Sequence, residues 1–392
     1  MKTRTVALLA ALIAMAVVVS FACAPSDFAP EQEIASVRIL ASRADHDAIY
    51  ARPGETVTLE SLVVDGRPFP TEPMKLYWVP FICENPTDDE YYACFAAAGD
   101  AGGASVFGAG IVTGVIDAGP SDGDDDDAGV EVDASAGEDA SANANADASA
   151  DDAGDAGEGD DAGTAAPASS PTLTFTVPTD AITTHPVVPG APAPYGLMIA
   201  FNVACAGHLK ITSVTPGAGP QQVPIACVDD AGNVLGPDDY VIGFTRVYVY
   251  DSVSNKNPEI DGFIVNGVET KTGVAGTAIP NPIDIDVPAC TKSCSSVAIT
   301  VDVPESSWEV DPYNKDANGN PQHESLWVDY YDIGGNLESE ARLLYDSNAG
   351  KITGTGSTVN YDTPSTGDAT LWAVVHDNRD GVTWLQVNVH AK

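Results

Sequence analysis

The constellation best suited to chemistry is a run of oxygen ligands: Asp311, Asp316, Asn318 and Asn320. Within it, Asp316-Ala317-Asn318-Gly319-Asn320 alternates side-chain oxygens as the first half of a calcium loop does. The second half departs from that pattern. Pro321 stands where the loop needs Gly, and Trp327 where it needs a bidentate Glu. A plain polar turn is therefore expected, with calcium kept as the best chemical candidate and no other cofactor implied. Asp251, Asp261 and Asp302, near an expected domain junction, are open to the same two readings, calcium or solvation. Histidines offer less. His46 lies between Asp45 and Asp47, but consecutive side chains of an extended segment point to opposite faces. His185 and His208 fall in expected loops, and His376 ends an expected strand. Neither a G-x-S-x-G elbow nor an H-E-x-x-H pair occurs. Gly350-Lys351 is no phosphate loop, because Ile352 follows and Tyr345 occupies the first glycine's place. The chain is accordingly expected not to be an enzyme, a hydrolase with a loop-built site being the alternative. Of the five Trp, Trp78, Trp327, Trp372 and Trp384 sit in expected strands and should pack in cores. Trp308, in an expected loop, is the one to test on carbohydrate.

Seven Cys is an odd number. Setting Cys23 aside leaves Cys83, Cys94, Cys205, Cys227, Cys290 and Cys294, which fall into three local pairs along the chain. In an oxidising compartment these can form three disulfides, nearest neighbours together, although six Cys permit 15 pairings and buried thiols are the alternative. Cys290 and Cys294 have the spacing of neither a redox motif nor a zinc site.

Cys23 is set apart by what precedes it. Lys2 and Arg4 are followed by an unbroken apolar run over residues 6–19, short for a bilayer span but of signal-peptide length. Ser20-Phe21-Ala22-Cys23 then resembles the lipobox of bacterial lipoproteins, with Ser20 where Leu or Val is usual. That resemblance implies cleavage after residue 22, lipidation of Cys23 and a bilayer anchor. Ala24, in place of Asp, implies the outer membrane, with the chain facing periplasm or cell surface. Several acyl chains on one Cys anchor stably where a single chain is marginal. The alternative is an ordinary signal peptide cut near Ala22 or Ala24, leaving an unanchored protein.

With 57 acidic against 17 basic residues the net charge is −40, a surface that repels phosphate backbones, so nucleic acid is excluded as a partner. The acid is concentrated. Residues 117–163 hold 17 Asp and Glu and no Lys or Arg. The Asp-, Ala-, Gly- and Ser-rich stretch 117–170 cannot bury enough apolar area to offset its ordering entropy, and is expected to be a disordered solvated spacer. Its densest run, Asp122 to Asp127, lacks the features of a calcium loop.

Everything that must position these residues reads as β-structure. Before the spacer, strands are expected at 35–41, 56–64 and 75–82; after it, at 173–177, 196–204 and 240–250. Val57 and Leu59 alternate with Thr56 and Thr58, the pattern of a half-buried strand. Residues 34–98 supply too few strands for a closed sandwich, so one domain, 34–252, is expected to run across the spacer. Inserting a long loop costs only about 0.6 kcal/mol per doubling of its length. A linker between two smaller domains is the rival. The second domain, 253–392, follows Asn257-Pro258-Glu259-Ile260-Asp261-Gly262. Its expected strands are 262–268, 296–303, 326–331, 341–345, 357–361, 370–376 and 382–389, the last two joined by Asp377-Asn378-Arg379-Asp380-Gly381. The fold class is thus all-β, two sandwiches in tandem behind a signal peptide (1–22) and a tether (23–33).

Pro53-Gly54-Glu55-Thr56-Val57-Thr58-Leu59 resembles the second-strand motif of bacterial immunoglobulin-like and PKD-like surface domains, and residues 257–262 the lead-in to a following domain in such arrays. With the lipobox and spacer, the whole resembles surface lipoproteins of myxobacterial type. The resemblance implies immunoglobulin-like sandwiches and a role in adhesion or scaffolding, with an envelope protein or polysaccharide as partner. It brings no catalytic residues. A calcium-stabilised adhesin or a carbohydrate-binding protein are the alternatives within the binding class.

Overall fold

The computed structural model describes residues 31–44, 49–70, 72–95, 172–211, 225–272, 281–290, 296–365 and 367–392. The signal peptide, Cys23, His46, Cys294 and the acidic stretch 117–170 lie outside the described residues. What is described is almost all strand. The short helical pieces include the one-turn helix Ala181–Thr184. No helix among the described residues is long and apolar enough to cross a membrane.

The N-terminal part is built from β1 (Val37–Ala44), β2 (Thr56–Asp65), β3 (Lys75–Glu84), β4 (Thr172–Thr176), β5 (Gly196–Cys205), β6 (His208–Ile211), β7 (Ile225–Val228) and β8 (Tyr240–Val249). One sheet runs β1-β2-β4 and another β3-β5-β8. Strands from opposite sides of residues 96–171 therefore pair directly, β2 with β4 and β3 with β5. The first sandwich is continuous across the interruption. The alternation read in β2 is realised. Val57 and Leu59 are fully buried between the sheets, while the hydroxyls of Thr56 and Thr58 meet those of Thr176 and Thr174 at 3.3 and 3.0 Å on the other face.

β5 is buried at every position, which a two-layer sandwich with one solvated face does not require. Met198 and Ala200 face the β1-β2-β4 sheet. Leu197, Ile199, Phe201, Val203 and Cys205 face a second core, closed in part by the β6–β7 hairpin and by Cys94 and Phe95. A strand covered on both faces reads as a near-continuous apolar run, and Gly196 to Cys205 is one. Two disulfides staple this third layer to the central sheet. Cys83 joins Cys94 with Cα atoms 5.7 Å apart, and Cys205 joins Cys227 at 5.9 Å. Both unite nearest neighbours in sequence. Cys290 is also disulfide-bonded, to a partner outside the described residues. Removing the Cys205–Cys227 link, by reduction or double substitution to Ala, opens a closed loop spanning 22 residues. It is expected to destabilise the first sandwich by about 3 kcal/mol. A denaturant midpoint unchanged by reductant, with free thiols verified by mass, would refute this.

The C-terminal sandwich comprises β9 (Gly262–Val265), β10 (Val268–Thr272), β11 (Ile283–Val287), β12 (Val297–Asp302), β13 (Val310–Lys315), β14 (Pro321–His323), β15 (Leu326–Ile333), β16 (Asn336–Leu337), β17 (Ala341–Asp346), β18 (Gly350–Lys351), β19 (Val359–Asp362), β20 (Gly367–Asp377) and β21 (Val382–Ala391). A sheet ordered β10-β9-β12-β19-β16 packs on one ordered β11-β21-β20-β15-β17-β18 around a single apolar core. β11 pairs parallel with the final strand β21, whereas the other pairings in the sandwich are antiparallel. The strand expected over 262–268 is instead a tight hairpin. Asn266 and Gly267 both take positive φ, 52° and 76°, the conformation that two-residue Asn-Gly turns favour.

The two sandwiches are packed together rather than strung as beads. Leu40, Leu62 and Val64, on the outer face of the β1-β2-β4 sheet, lie against Trp372, Val374, Tyr331 and Trp384 of the six-stranded sheet. The Arg43 guanidinium sits 4.1 Å over the Trp384 ring and donates to Thr383 Oγ1 at 2.8 Å. Two clefts lie along this junction.

Candidate functional site

The β20–β21 turn at this junction is shaped by its first residue. Asp377 is 3 % exposed. Its Oδ1 accepts the N–H groups of Arg379 and Gly381 at 2.7 and 2.8 Å, and its Oδ2 accepts Asn255 Nδ2 at 3.1 Å. Gly381 has no room for a side chain, because a Cβ there would lie 2.0 Å from Asp377 Oδ2. The Arg379 side chain is drawn inward. Its Nε donates to Glu324 Oε2 at 2.8 Å, Nη2 pairs with Glu309 Oε2 at 3.2 Å, and Nη1 donates to the Ser254 carbonyl at 3.2 Å. The Arg379 carbonyl accepts Tyr50 Oη and Asn255 Nδ2, both at 3.0 Å. One residue thus ties both sandwiches and the segment between them. Burial, reinforced by the Asp377 charge, pushes the Glu324 carboxyl up to about 7.

This anchoring aims Asp380 outward. Asp380 has φ of 74°, a conformation few non-glycine residues adopt, and its side chain is exposed in the space between the domains. No hydrogen bond or ion pair reaches its carboxylate from the described residues. The surrounding protein raises its proton affinity by desolvation, with Arg246 opposing. Asp380 lies where two clefts meet. One, of about 540 Å³, runs past Ser42, Asn202, Thr245, Trp327 and His376. The other, of about 640 Å³, is walled by Tyr50, Tyr195, Tyr248 and Tyr250 from one sandwich and Tyr313 from the other. The tyrosines form one cluster: Tyr50 and Tyr250 have ring centroids 5.0 Å apart, Tyr195 and Tyr248 5.5 Å, Tyr195 and Tyr250 5.7 Å. Desolvation raises the proton affinity of Tyr50, Tyr248 and Tyr250, and the Asp380 charge adds to it in each. Their hydroxyls stay protonated at any ordinary pH.

In the first cleft, Asn202 donates to Ser42 Oγ and Ser61 Oγ at 3.1 and 2.6 Å. Its Oδ1, and Thr245 Oγ1, are buried without a partner. His376 pairs with Asp329 at 3.2 Å and stacks on Trp327 with centroids 5.2 Å apart.

The residues singled out in the sequence lie elsewhere. Asp316 caps its own turn at the tip of the β13–β14 hairpin, where its Oδ1 accepts the N–H groups of Asn318 and Asn320 at 2.8 Å each and its Oδ2 accepts Asn320 Nδ2 at 3.0 Å. Asp311 is buried lower in the hairpin, paired across from Gln322, and accepts the Tyr313 N–H at 2.9 Å. The hairpin therefore does not gather the four into one shell. Asp302 pairs with Lys351 at 2.8 Å. Among the described residues, no group of three or more His, Cys, Asp or Glu side chains is placed to hold a metal ion. His208 pairs with Asp230 on the surface at 2.8 Å. His185 is buried, with Nε2 on Asp89 Oδ1 and Nδ1 on the Pro186 carbonyl, each at 2.7 Å. Trp308 is no open platform, because His323 stacks on it with centroids 3.7 Å apart.

The tyrosine cleft was missed because it is assembled from distant segments. The local signal was faint: Tyr248 near the end of β8 and Tyr250 just beyond it share one alternation, and Tyr50 precedes the turn into β2.

No family model matches the chain, and no curated protein matches it. Among solved structures, similarity extends to a nucleoside hydrolase-related hypothetical protein from Saccharophagus degradans associated with carbohydrate metabolism. It is 11 % identical over 48 % of this chain, at a TM-score of 0.19. The chain spans 42 % of that protein's length. The fibronectin(III)-like modules of Clostridium thermocellum CbhA are 10 % identical, with 91 % of this chain and 94 % of theirs covered, at a TM-score of 0.19. The collagen adhesin of S. aureus is 8 % identical, with 93 % and 96 % covered, at a TM-score of 0.13. The assignment to the all-β class, as packed sandwiches, rests on the chain's own sheets.

Proposed function

We propose that this chain is a non-catalytic binding module of the bacterial cell envelope, held on the outer membrane through a lipid on Cys23, which takes its ligand in the interdomain cleft. The observation that carries the binding role is the cleft itself: tyrosines beside a carboxylate that no hydrogen bond or ion pair reaches from the described residues, between two packed sandwiches. Aromatic walls with a few convergent polar groups are what ligand sites use. The anchor rests on the sequence of residues 1–23. The partner is an envelope protein or polysaccharide, and the net charge of −40 disfavours nucleic acid. Pull-down from envelope fractions by the purified protein is expected to retain a component that Tyr313→Ala loses. Equal retention by the variant would remove the cleft from the reading, and no retention by either would remove the binding role.

One observation favours a second reading. Asp89, at φ of 58°, receives His185 and the hydroxyl of Tyr195 beside the cleft, an arrangement a hydrolase can use. The third member is a phenol donating to the carboxylate, with its proton affinity raised, not an activated nucleophile. Turnover in an ester, glycoside and peptide screen, abolished by His185→Gln, would promote this reading over the first.

A further inference from the structure

We infer that the tyrosine cleft binds an organic ammonium group, seated on the aromatic faces and paired with Asp380. This rests on the binding-module reading and names the ligand chemistry of its site. The argument begins with the charge in the cleft. Arg379 is the basic residue on this cleft's wall, and its guanidinium is committed to Glu309 and Glu324. What remains facing the cleft is the Asp380 carboxylate, which Arg246 influences without forming an ion pair with it. Asn255 and the Arg379, Gly381 and Asn378 positions fasten the turn that presents it, the last through its Oδ1 accepting the Ser325 N–H at 2.9 Å. The surrounding protein partly desolvates that carboxylate, a cost that a bound cation would offset.

The walls agree. Tyr50, Tyr248 and Tyr250 line the same cleft as Asp380; Tyr50 and Tyr250 are largely buried, so half-buried Tyr248 and exposed Tyr313 offer most of the ring surface to a cation paired there. Aromatic faces attract cations through the ring quadrupole, most strongly where water is displaced, and such cages recognise quaternary and alkylated ammonium groups. Tyr313, exposed on the opposite wall, can close over the ligand. A cavity of about 640 Å³ admits a small organic cation or the end of a lysine side chain. An anionic ligand would meet an unpaired carboxylate here. A neutral sugar would stack but bring Asp380 no charge beyond that of Arg246. The strongly acidic chain also raises the local concentration of cations by long-range attraction.

Titration calorimetry on the purified full chain decides the matter, with tetramethylammonium, choline and an N-acetyl-lysine amide set against 3,3-dimethylbutan-1-ol, the uncharged shape analogue of choline. Saturable binding of the ammonium ligands is expected, at least tenfold tighter than the alcohol. Choline tighter than the lysine amide assigns a free small molecule, and the reverse order assigns a side chain of a protein partner. Asp380→Asn keeps a residue tolerant of positive φ and should leave the fold intact by circular dichroism while weakening the ammonium ligands at least tenfold. Tyr313→Ala, at an exposed position, should weaken them without unfolding. Absence of saturable ammonium binding, equal affinity for the alcohol, or full affinity in Asp380→Asn each overturns the inference. Failure of the broader reading shows separately, in the envelope pull-down. A cleft that takes a neutral glycan and no ammonium would end the inference and leave that reading standing.

Discussion

At pH 8, above the Glu324 titration, replacing Arg379 by alanine is expected to destabilise the protein by about 3–5 kcal/mol, because it leaves buried carboxylates without their cation. The Arg379 side chain is 9 % exposed and that of Glu324 1 %. A pair so far from water gains little net stability from existing, since desolvation offsets the attraction. Breaking it from one side is different, for the remaining charge keeps its full desolvation cost. Three carboxylates, Glu309, Glu324 and Asp377, surround this one guanidinium. Lysine cannot reproduce the fork that reaches Glu309, Glu324 and the Ser254 carbonyl together, so Arg379→Lys should recover only part of the loss. Glu309, at 28 % side-chain exposure, contributes far less, and Glu309→Gln should cost under about 1 kcal/mol. Guanidinium chloride unfolding of the three variants checks the order. A loss under about 1 kcal/mol in Arg379→Ala would show that the cluster does not hold the junction. The same variant frees the turn that presents Asp380, so ligand affinity should fall with stability.

The sequence made the strands legible and left their partners unread. β2, β3, β5 and β8 begin at the residues where alternation or apolar runs place them, because local pattern carries much of a strand's signal. The strands missed are those with weak or interrupted patterns. β11 alternates clearly, Ile283-Asp284-Ile285-Asp286-Val287, but stands isolated after Pro280 and Pro282. β13 and β14 carry Pro312 and Pro321, residues that argue against strand and are tolerated here in a small two-stranded ribbon. The continuous burial of β5 was written in its composition, yet an apolar run does not say which layers cover it.

The functional residues show the same limit more sharply. Asp316, Asn318 and Asn320 are conspicuous in sequence because they are adjacent, and adjacency is what lets Asp316 bond its own turn. Tyr50 and Tyr250 gave only a faint local signal, and Asp380 joins them only once the two sandwiches pack together. The turn Asp377-Asn378-Arg379-Asp380-Gly381 was read correctly as a hairpin connection. That its arginine points into a buried acidic cluster and its last aspartate into a cleft follows from packing against residues 254–255 and Tyr50.

Between about pH 5 and 8 the protein should lose stability as pH rises, opposite to the behaviour of a chain whose carboxylates are held by salt bridges. Glu324 sets the sign. Burial, with the Asp377 charge beside it, raises its carboxyl from 4.5 to about 7, against the opposing pull of Arg379. Asp377 is also raised by burial, but two backbone N–H groups and Asn255 on its oxygens favour its charged form, so we assign the proton to Glu324. Asp332, buried where the chain near Gln32 and Ile34 meets the second sandwich, is likewise raised by desolvation, to about 6. A carboxyl with a raised folded-state pKa binds its proton more tightly folded than unfolded. Its contribution is complete below the unfolded value and is lost as pH climbs through the folded one. For Glu324 that window runs from about 4.5 to 7, and one proton through it corresponds to about 2–4 kcal/mol. The carboxylates lowered by hydrogen bonds, Asp65, Asp229, Asp284, Asp316 and Asp346, act in the reverse sense, but below the usual carboxylate range and outside this window. Denaturant midpoints measured from pH 5 to 8 should therefore fall. Glu324→Gln, which keeps an oxygen for Arg379 and has no proton to lose, should flatten most of that slope. A midpoint that rises with pH, or a slope unchanged in Glu324→Gln, would show that Glu324 stays ionised on Arg379 throughout. The junction would then be an ordinary ion pair rather than an acid-strengthened joint holding the cleft in shape.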